Sequence, residues 1–183
     1  MAVTLAPRPV LTTRWSPRPA PPLMEKFLID GGVPLSGTVV PAGNKNGALP
    51  ILASSVLTEE PVVVGNVPHI RDVDDMLALL AEIGVEVHWR NGNEVELCAA
   101  NVTSTSIDRR LSERIRASFL LAGPLLARFG HAVMPPPGGD VIGRRRLDPH
   151  LDAFRALGAT AQTDRDIVLS AEGGLRAGDV CMD

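Results

Sequence analysis

Cysteine occurs only twice in this chain of 183 residues, at Cys98 and Cys181. The two lie far apart, with no Cys-x-x-Cys and no paired histidine, so neither a metal centre nor a disulfide framework is indicated. No apolar run approaches the roughly eighteen residues that a spanning helix needs. A soluble protein of a reducing cytoplasm is therefore expected, with no membrane partner. Acidic residues are missing from residues 1–23, which hold Arg8, Arg14 and Arg18. The formal net charge is −3, so setting these three arginines aside leaves −6 on the remainder. So acidic a body argues against nucleic acid as a partner.

The same leader lacks any helical or strand period and contains six prolines. It also lacks the apolar core of a signal peptide, and its proline density disfavours the amphipathic helix of a transit peptide. Residues 1–23 are expected to be a disordered tail, because they bury too little surface to offset their ordering entropy. Pattern begins at Met24, with FLIDGG. Apolar residues make up 45% of the chain, enough for a core.

Short strands are predicted at Lys26–Asp30 and Gly37–Pro41, followed by the loop AGNKNG (Ala42–Gly47). A helix is predicted over Ala48–Leu57, with Pro50 in its first turn. Val62–Val64 reads as a strand. Asp72 or Asp74 is expected to cap a helix bearing Met76, Leu77, Leu80 and Ile83 on one face, closed by Gly84. Val85–Trp89 and Glu94–Ala99 form a hairpin across Asn91-Gly92. A second round follows. A helix is predicted over Arg114–Phe129, interrupted at Gly123-Pro124, and a strand at Ala132–Met134. A helix capped by Asp148 and closed by Gly158 comes next, then a hairpin of Ala159–Gln162 with Asp166–Ala171.

The two rounds superimpose. A shift of 69 carries Ile51-Leu52 onto Leu120-Leu121 and Val64 onto Val133. A shift of 74 carries Asp74, Leu77, Leu80, Ile83 and Gly84 onto Asp148, Leu151, Phe154, Leu157 and Gly158. The final strand follows with a shift of 72, Glu94–Leu97 onto Asp166–Leu169. The chain is thus read as two α-β-α-β-β units, repeats of about 45–104 and 105–175, within a domain of residues 45–183. Repeats of this kind usually need about three copies to close a core.

The second copy carries an insertion, GGDVIGRR, between its strand and its second helix. Pro135–Pro137 stiffens the approach. Gly138-Gly139 permits positive φ and close approach of a ligand to the backbone. Asp140 then stands at the tip, and Arg144, Arg145 and Arg146 follow. An acid and a cationic cluster on such an arm suit a lid over an anion, against the blander reading of a solvated loop. AGNKNG is the second candidate, a helix N-terminus offering amide groups and Lys45 to an anion. Arg116, in RIRAS, is either a snorkelling side chain or a cation aimed into a cleft.

Four stretches, taken in order, carry a resemblance: VPLSGTVVPAGNKNGALPILASSVL, VVVGNVPHIRDVDDMLALLAEIGVEV, RIRASFLLAGPLLARFG and PPGGDVIGRRRLDPHLDAFRALGA. Together they resemble the bacterial UDP-N-acetylglucosamine enolpyruvyl transferases (1-carboxyvinyltransferases), over nearly everything from Met24 onward. The shikimate-pathway relatives share the fold, but they typically follow the loop lysine with Ser where this chain has Asn46. The resemblance implies an α/β fold, an inverted α/β barrel of two domains with three repeats each. Two repeats of one domain are present here, and residues 24–44 supply strands to the other domain. It implies transfer of the enolpyruvyl group of phosphoenolpyruvate to the 3'-hydroxyl of UDP-N-acetylglucosamine with release of phosphate, and no metal or organic cofactor.

By the same resemblance, Asp140 is the general acid, and Lys45 and Asn46 bind phosphoenolpyruvate. Arg116, Arg145, Arg146, Leu147, Asp148 and Pro149 bind the UDP-sugar. Two departures stand out. Asp140 occupies a position usually held by a reactive Cys, and Arg145-Arg146-Leu147-Asp148-Pro149-His150 replaces the usual Arg-Pro-Val-Asp-Leu-His. The implied second domain supplies further catalytic groups, so this chain alone is expected to be inactive. The competing expectation is a truncated, non-catalytic UDP-sugar-binding fragment or a pseudoenzyme.

Overall fold

The computed structural model describes residues 28–32, 34, 36–139 and 146–180. Two three-stranded antiparallel sheets share one topology. In the first, β1 (Val62–Val64), β2 (Glu86–Trp89) and β3 (Val95–Cys98) take the order β1-β3-β2. In the second, β4 (His131–Met134), β5 (Thr160–Thr163) and β6 (Ile167–Ser170) take the order β4-β6-β5. The outer strands of each sheet run parallel to each other, so a helix must cross between them. These crossovers are α2 (Arg71–Glu82) and α5 (Asp148–Ala156). The predicted α-β-α-β-β repeat is therefore a split β-α-β unit preceded by a helix.

Register refines the internal symmetry. Val62 faces Leu97 in the first sheet, and Ala132 faces Leu169 in the second. The structural sister of Val64 is thus Met134, one residue beyond the Val133 expected from sequence. Burial agrees, since Ala132 and Met134 point inward while Val63 and Val133 are less covered.

Helix α1 (Lys45–Ser54) starts three residues earlier than predicted and tightens into a 3₁₀ turn at Ser55–Leu57. The cause is Asn44, whose side chain accepts from the Gly47 amide at 3.0 Å. Pro50 consequently lies beyond the first turn, and it supplies no amide to the carbonyl of Asn46. The second repeat handles its proline differently. A short helix α3 (Arg109–Ser112) leads to a 3₁₀ segment at Arg116–Leu121 and then to α4 (Ala122–Phe129). The helix expected over Arg114–Phe129 with its interruption at Gly123-Pro124 is α-helical only from Ala122 onward, so the break does not fall at Gly123-Pro124. Instead α4 begins so that Pro124 is its third residue, where a missing amide costs nothing.

Neither expected aspartate cap forms. The residue before α2 is Ile70 and the residue before α5 is Leu147, and neither makes a side-chain cap. Asp72, Asp74 and Asp148 sit inside the first turns, where the helix dipole favours an acid. The carboxylates of Asp72 and Asp148 go to Lys45 and Arg146. The closing glycines are as predicted, with Gly84 at φ 103° and Gly158 at φ 88°.

The strand expected over Gly37–Pro41 does not form. Val39 and Val40 are 88% and 86% exposed, and no described strand pairs with them. An extended segment without a partner ladder stays hydrated. The described part of the other expected strand, Leu28–Asp30, is likewise exposed coil. The remaining call on the N-terminus, the tail of residues 1–23, lies outside the described residues.

One core joins the two units. Val73, Met76, Leu77, Leu79 and Leu80 of α2 are buried together with Leu97, Leu121, Leu125, Leu126 and Leu169. Each such side chain contributes about 1.5–3 kcal/mol by leaving water. Among the described residues, no helix is long and apolar enough to cross a membrane.

At the end of α2, desolvation pushes the Glu82 carboxyl above its usual range, and the neighbouring Asp108 carboxylate adds repulsion. The Asp108 backbone amide pulls weakly the other way. A carboxyl raised on folding adds stability only while protonated, and that contribution is lost as pH rises through its folded value. Glu82→Gln should therefore raise Tm at pH 7 by about 1–2 °C, a small gain because solvent screens this site. The gain should vanish below about pH 4, where both states hold the proton. Thermal melts across that range check it, and an equal gain at pH 3.5 would point to another cause.

Candidate active site

The first elements of the two repeats lie side by side with like ends together. Helix α1 packs on the 3₁₀ segment 116–121, and the turn ending α1 packs on α4. This brings Lys45 and Asn46 of the first repeat to the same end as Arg114 and Arg116 of the second. Between them opens a cleft of ≈ 560 Å³, also walled by Leu147, His150 and Phe154.

Lys45 Nζ meets Asp72 Oδ2 at 2.7 Å, with the two side chains 50% and 40% exposed. A pair so exposed contributes about 1 kcal/mol at most, so an incoming anion can displace it. Asn46 lines the cleft beside Lys45, on a first helical turn whose amides and dipole favour negative charge. The loop leading into α1 is held closely. A Cβ on Gly43 would lie 1.7 Å from the Asn66 carbonyl oxygen, so only glycine lets these backbones touch.

The base of the long loop is pinned to the opposite wall. The Gly138 amide donates to Ser112 O at 3.0 Å and the Gly139 amide to Glu113 O at 3.3 Å. A Cβ on Gly138 would fall 1.7 Å from Glu113 O, and Gly139 adopts φ 85° against the Arg116 backbone. Positive φ at Gly139 is as expected and Gly139 lines the cleft, but the close approach at Gly138 is made by Glu113. The glycines admit the chain's own backbone, and they anchor the arm beside Arg116.

Of the residues singled out from sequence, Lys45, Asn46, Arg116, Gly139 and Leu147 share the cleft. Arg146, Asp148 and Pro149 flank it without lining it. Arg146 Nε donates to Asp148 Oδ2 at 2.8 Å. That hydrogen bond draws the Asp148 carboxyl below its ordinary range and lifts Arg146. Asp140 and Arg145 lie outside the described residues. Sequence reasoning missed Asp72, which it treated as a cap, and Arg114. It also missed the wall formed by Phe119 and His150, whose rings tilt at 55° with centroids 5.8 Å apart. The only signal for Arg114 was its spacing of two from Arg116. Among the described residues, no group of three or more His, Cys, Asp or Glu is placed to hold a metal ion.

Two split β-α-β units meeting at a cationic cleft define a repeat-built α/β domain with an anion-ready site. Residues 29–181 match the family of EPSP synthase (3-phosphoshikimate 1-carboxyvinyltransferase), and the chain belongs to that family of enolpyruvyl transferases. Curated relatives sharpen the comparison. The chain is 50% identical over 141 residues to the UDP-N-acetylglucosamine 1-carboxyvinyltransferase of Bradyrhizobium diazoefficiens, covering 76% of this chain and 33% of that protein. It is 48% identical over 143 residues to the protein of the same name from Treponema denticola, covering 78% and 34%. The chain thus spans about a third of the length of the curated relatives it matches. The fold is also that of the enolpyruvyl transferase NikO from Streptomyces tendae. The TM-score is 0.64 at 22% identity, over 75% of this chain and 30% of that one.

Proposed function

We propose that this chain contributes to enolpyruvyl transfer from phosphoenolpyruvate to the 3'-hydroxyl of UDP-N-acetylglucosamine, with release of phosphate. This is the first committed step of peptidoglycan precursor synthesis, and its setting is the cytoplasm. The observation that carries the reading is the convergence of Lys45, Asn46 and Arg116 on one cleft from two sister elements. The reaction needs cations to hold phosphate and carboxylate, and an acid above the alkene. The methylene carbon of phosphoenolpyruvate takes a proton while the sugar oxygen attacks C2. Phosphate then leaves as the enol ether re-forms with loss of a proton.

In this reading Lys45 leaves Asp72 for the phosphoenolpyruvate anion and Asn46 adds a hydrogen bond. Arg116, Arg145, Arg146, Leu147, Asp148 and Pro149 hold the UDP-sugar, and Asp140 donates the proton. A chimera tests this, with the matched third of the Bradyrhizobium protein replaced by this chain. Phosphate release dependent on both substrates is expected. Binding of UDP-N-acetylglucosamine without turnover would favour the non-catalytic reading instead.

In the same chimera, Lys45→Ala should raise KM for phosphoenolpyruvate about 10- to 100-fold, the value of one charge-assisted hydrogen bond. The affinity for UDP-N-acetylglucosamine should change by less than about threefold. Equal losses for both substrates in steady-state assays would assign Lys45 a structural role.

A further inference from the structure

We infer that Arg114 is a further anion-binding cation of the cleft, and that the buried carboxylate of Asp75 is the residue that positions it. The inference rests on reading the cleft as an anion site. Asp75 is 7% exposed, the single buried carboxylate among the described residues. A carboxylate in that position is costly unless cations face it. Two do. Arg71 Nε lies 3.8 Å from Asp75 Oδ2, one turn away on the same helix, but its side chain is 80% exposed. Arg114 Nη1 lies 3.5 Å from Asp75 Oδ1 and comes from the other repeat. Arg114 is half exposed and lines the cleft with Lys45 and Asp72.

The spacing of the two acids explains the arrangement. Asp72 and Asp75 stand three apart on α2 and so share a face. Asp72 reaches Lys45 of the first repeat, and Asp75 reaches Arg114 of the second. One helix thereby holds a cation from each wall. The backbone of Arg114 is fixed from both sides. Its amide donates to Leu111 O at 3.1 Å, and the next residue, Ile115, is buried. Only the side chain is left to be steered. A guanidinium has five N–H donors, and the Asp75 contact is a single Nη1–Oδ1 ion pair at 3.5 Å. The remaining donors serve an anion in the cleft.

Simple electrostatics and positioning predict opposite signs, which makes the idea testable. If Asp75 acts only as a nearby negative charge, Asp75→Asn should tighten anion binding. If it positions Arg114, the same change should weaken it. Calorimetric titrations would use this chain with phosphoenolpyruvate, UDP-N-acetylglucosamine and inorganic pyrophosphate, at low and moderate salt.

Arg114→Ala is expected to weaken at least one of these about tenfold, with Arg114→Lys intermediate. Asp75→Asn should weaken the same ligand about three- to tenfold. The double variant Asp75→Asn/Arg114→Ala should be no worse than Arg114→Ala alone. Unchanged or tighter binding in Asp75→Asn would overturn the positioning role, and unchanged binding in Arg114→Ala would overturn the whole inference. If Asp75→Asn does not fold, the two Arg114 variants still decide whether that side chain binds the anion. Binding of pyrophosphate alone, lost in Arg114→Ala, would support Arg114 while counting against the proposed reaction. Binding of the two substrates unaffected by either variant would leave the reaction standing and remove Arg114.

Discussion

Replacing Arg128 by alanine should cost about 3 kcal/mol of stability and lower Tm by roughly 6–12 °C. Arg128 lies in the last turn of α4, and its side chain is only 15% exposed. It reaches across the boundary between the repeats. Nη1 donates to Val56 O at 2.8 Å and to Ala99 O at 2.9 Å, and Nη2 to Glu59 Oε1 at 3.1 Å. The guanidinium also lies 4.8 Å from the Phe129 ring centroid. Val56 belongs to the 3₁₀ turn and Ala99 follows β3, so the guanidinium ties the ends of these two elements together. Alanine would leave both carbonyls without this donor, and each such loss costs about 1–3 kcal/mol. The Glu59 contact matters little, because that carboxylate is 74% exposed. Glu59→Ala should therefore change stability by less than about 1 kcal/mol. Arg128→Lys should recover only part of the loss, since a shorter side chain ending in a tetrahedral ammonium does not reproduce the place and in-plane hydrogens of Nη1, from which both carbonyls accept. Urea denaturation of the three variants is the measurement. A loss below about 1 kcal/mol in Arg128→Ala would remove this residue as the tie between repeats.

Arg128 also marks the limit of what was legible in the sequence. Both hairpins, the closing Gly84 and Gly158 and the repeat itself were readable, because period, turn residues and glycine caps are local signals. The carbonyls that Arg128 binds lie 72 and 29 residues away, and a backbone carbonyl carries no residue-type signature. The helix starts failed for a related reason. Asp72 and Asp148 have the chemistry of caps, but Lys45 and Arg146 take their carboxylates. The Lys45 contact is nonlocal, and local propensity cannot anticipate it. Gly138 and Gly139 were correctly read as positions needing close approach, but what approaches is the Ser112–Arg116 backbone. In the cleft, local chemistry suggested an anion at AGNKNG, while the roles of Arg116 and Asp140 came from resemblance. The meeting of Lys45 with Arg114 depended on the parallel packing of sister elements, which only the fold supplies.

The loop acid should control both turnover and inhibitor chemistry in the chimera described above. Asp140 stands where the resembled transferases usually carry a reactive Cys, on an arm whose base is anchored through Gly138 and Gly139. A proton donor contributes about 10²- to 10⁴-fold to a rate. Asn cannot give up a proton as an acid, so Asp140→Asn should lose about that much kcat. Its affinity for UDP-N-acetylglucosamine should stay within about threefold, because the proposed sugar contacts lie on other residues. Asp140→Cys should keep turnover, since a thiol can also donate. It should also gain time-dependent inactivation by fosfomycin, an epoxide that a thiolate opens by attack on carbon. A carboxylate is a much weaker nucleophile toward that epoxide, so the unsubstituted chimera should resist. The pH profile supplies an independent reading. If Asp140 is the acid, the high-pH limb of kcat should move upward in the Cys variant, toward the thiol range near 8.5. Covalent inactivation of the Asp140 form by fosfomycin, or normal turnover by Asp140→Asn, would show that the arm only binds, and that the proton comes from another group.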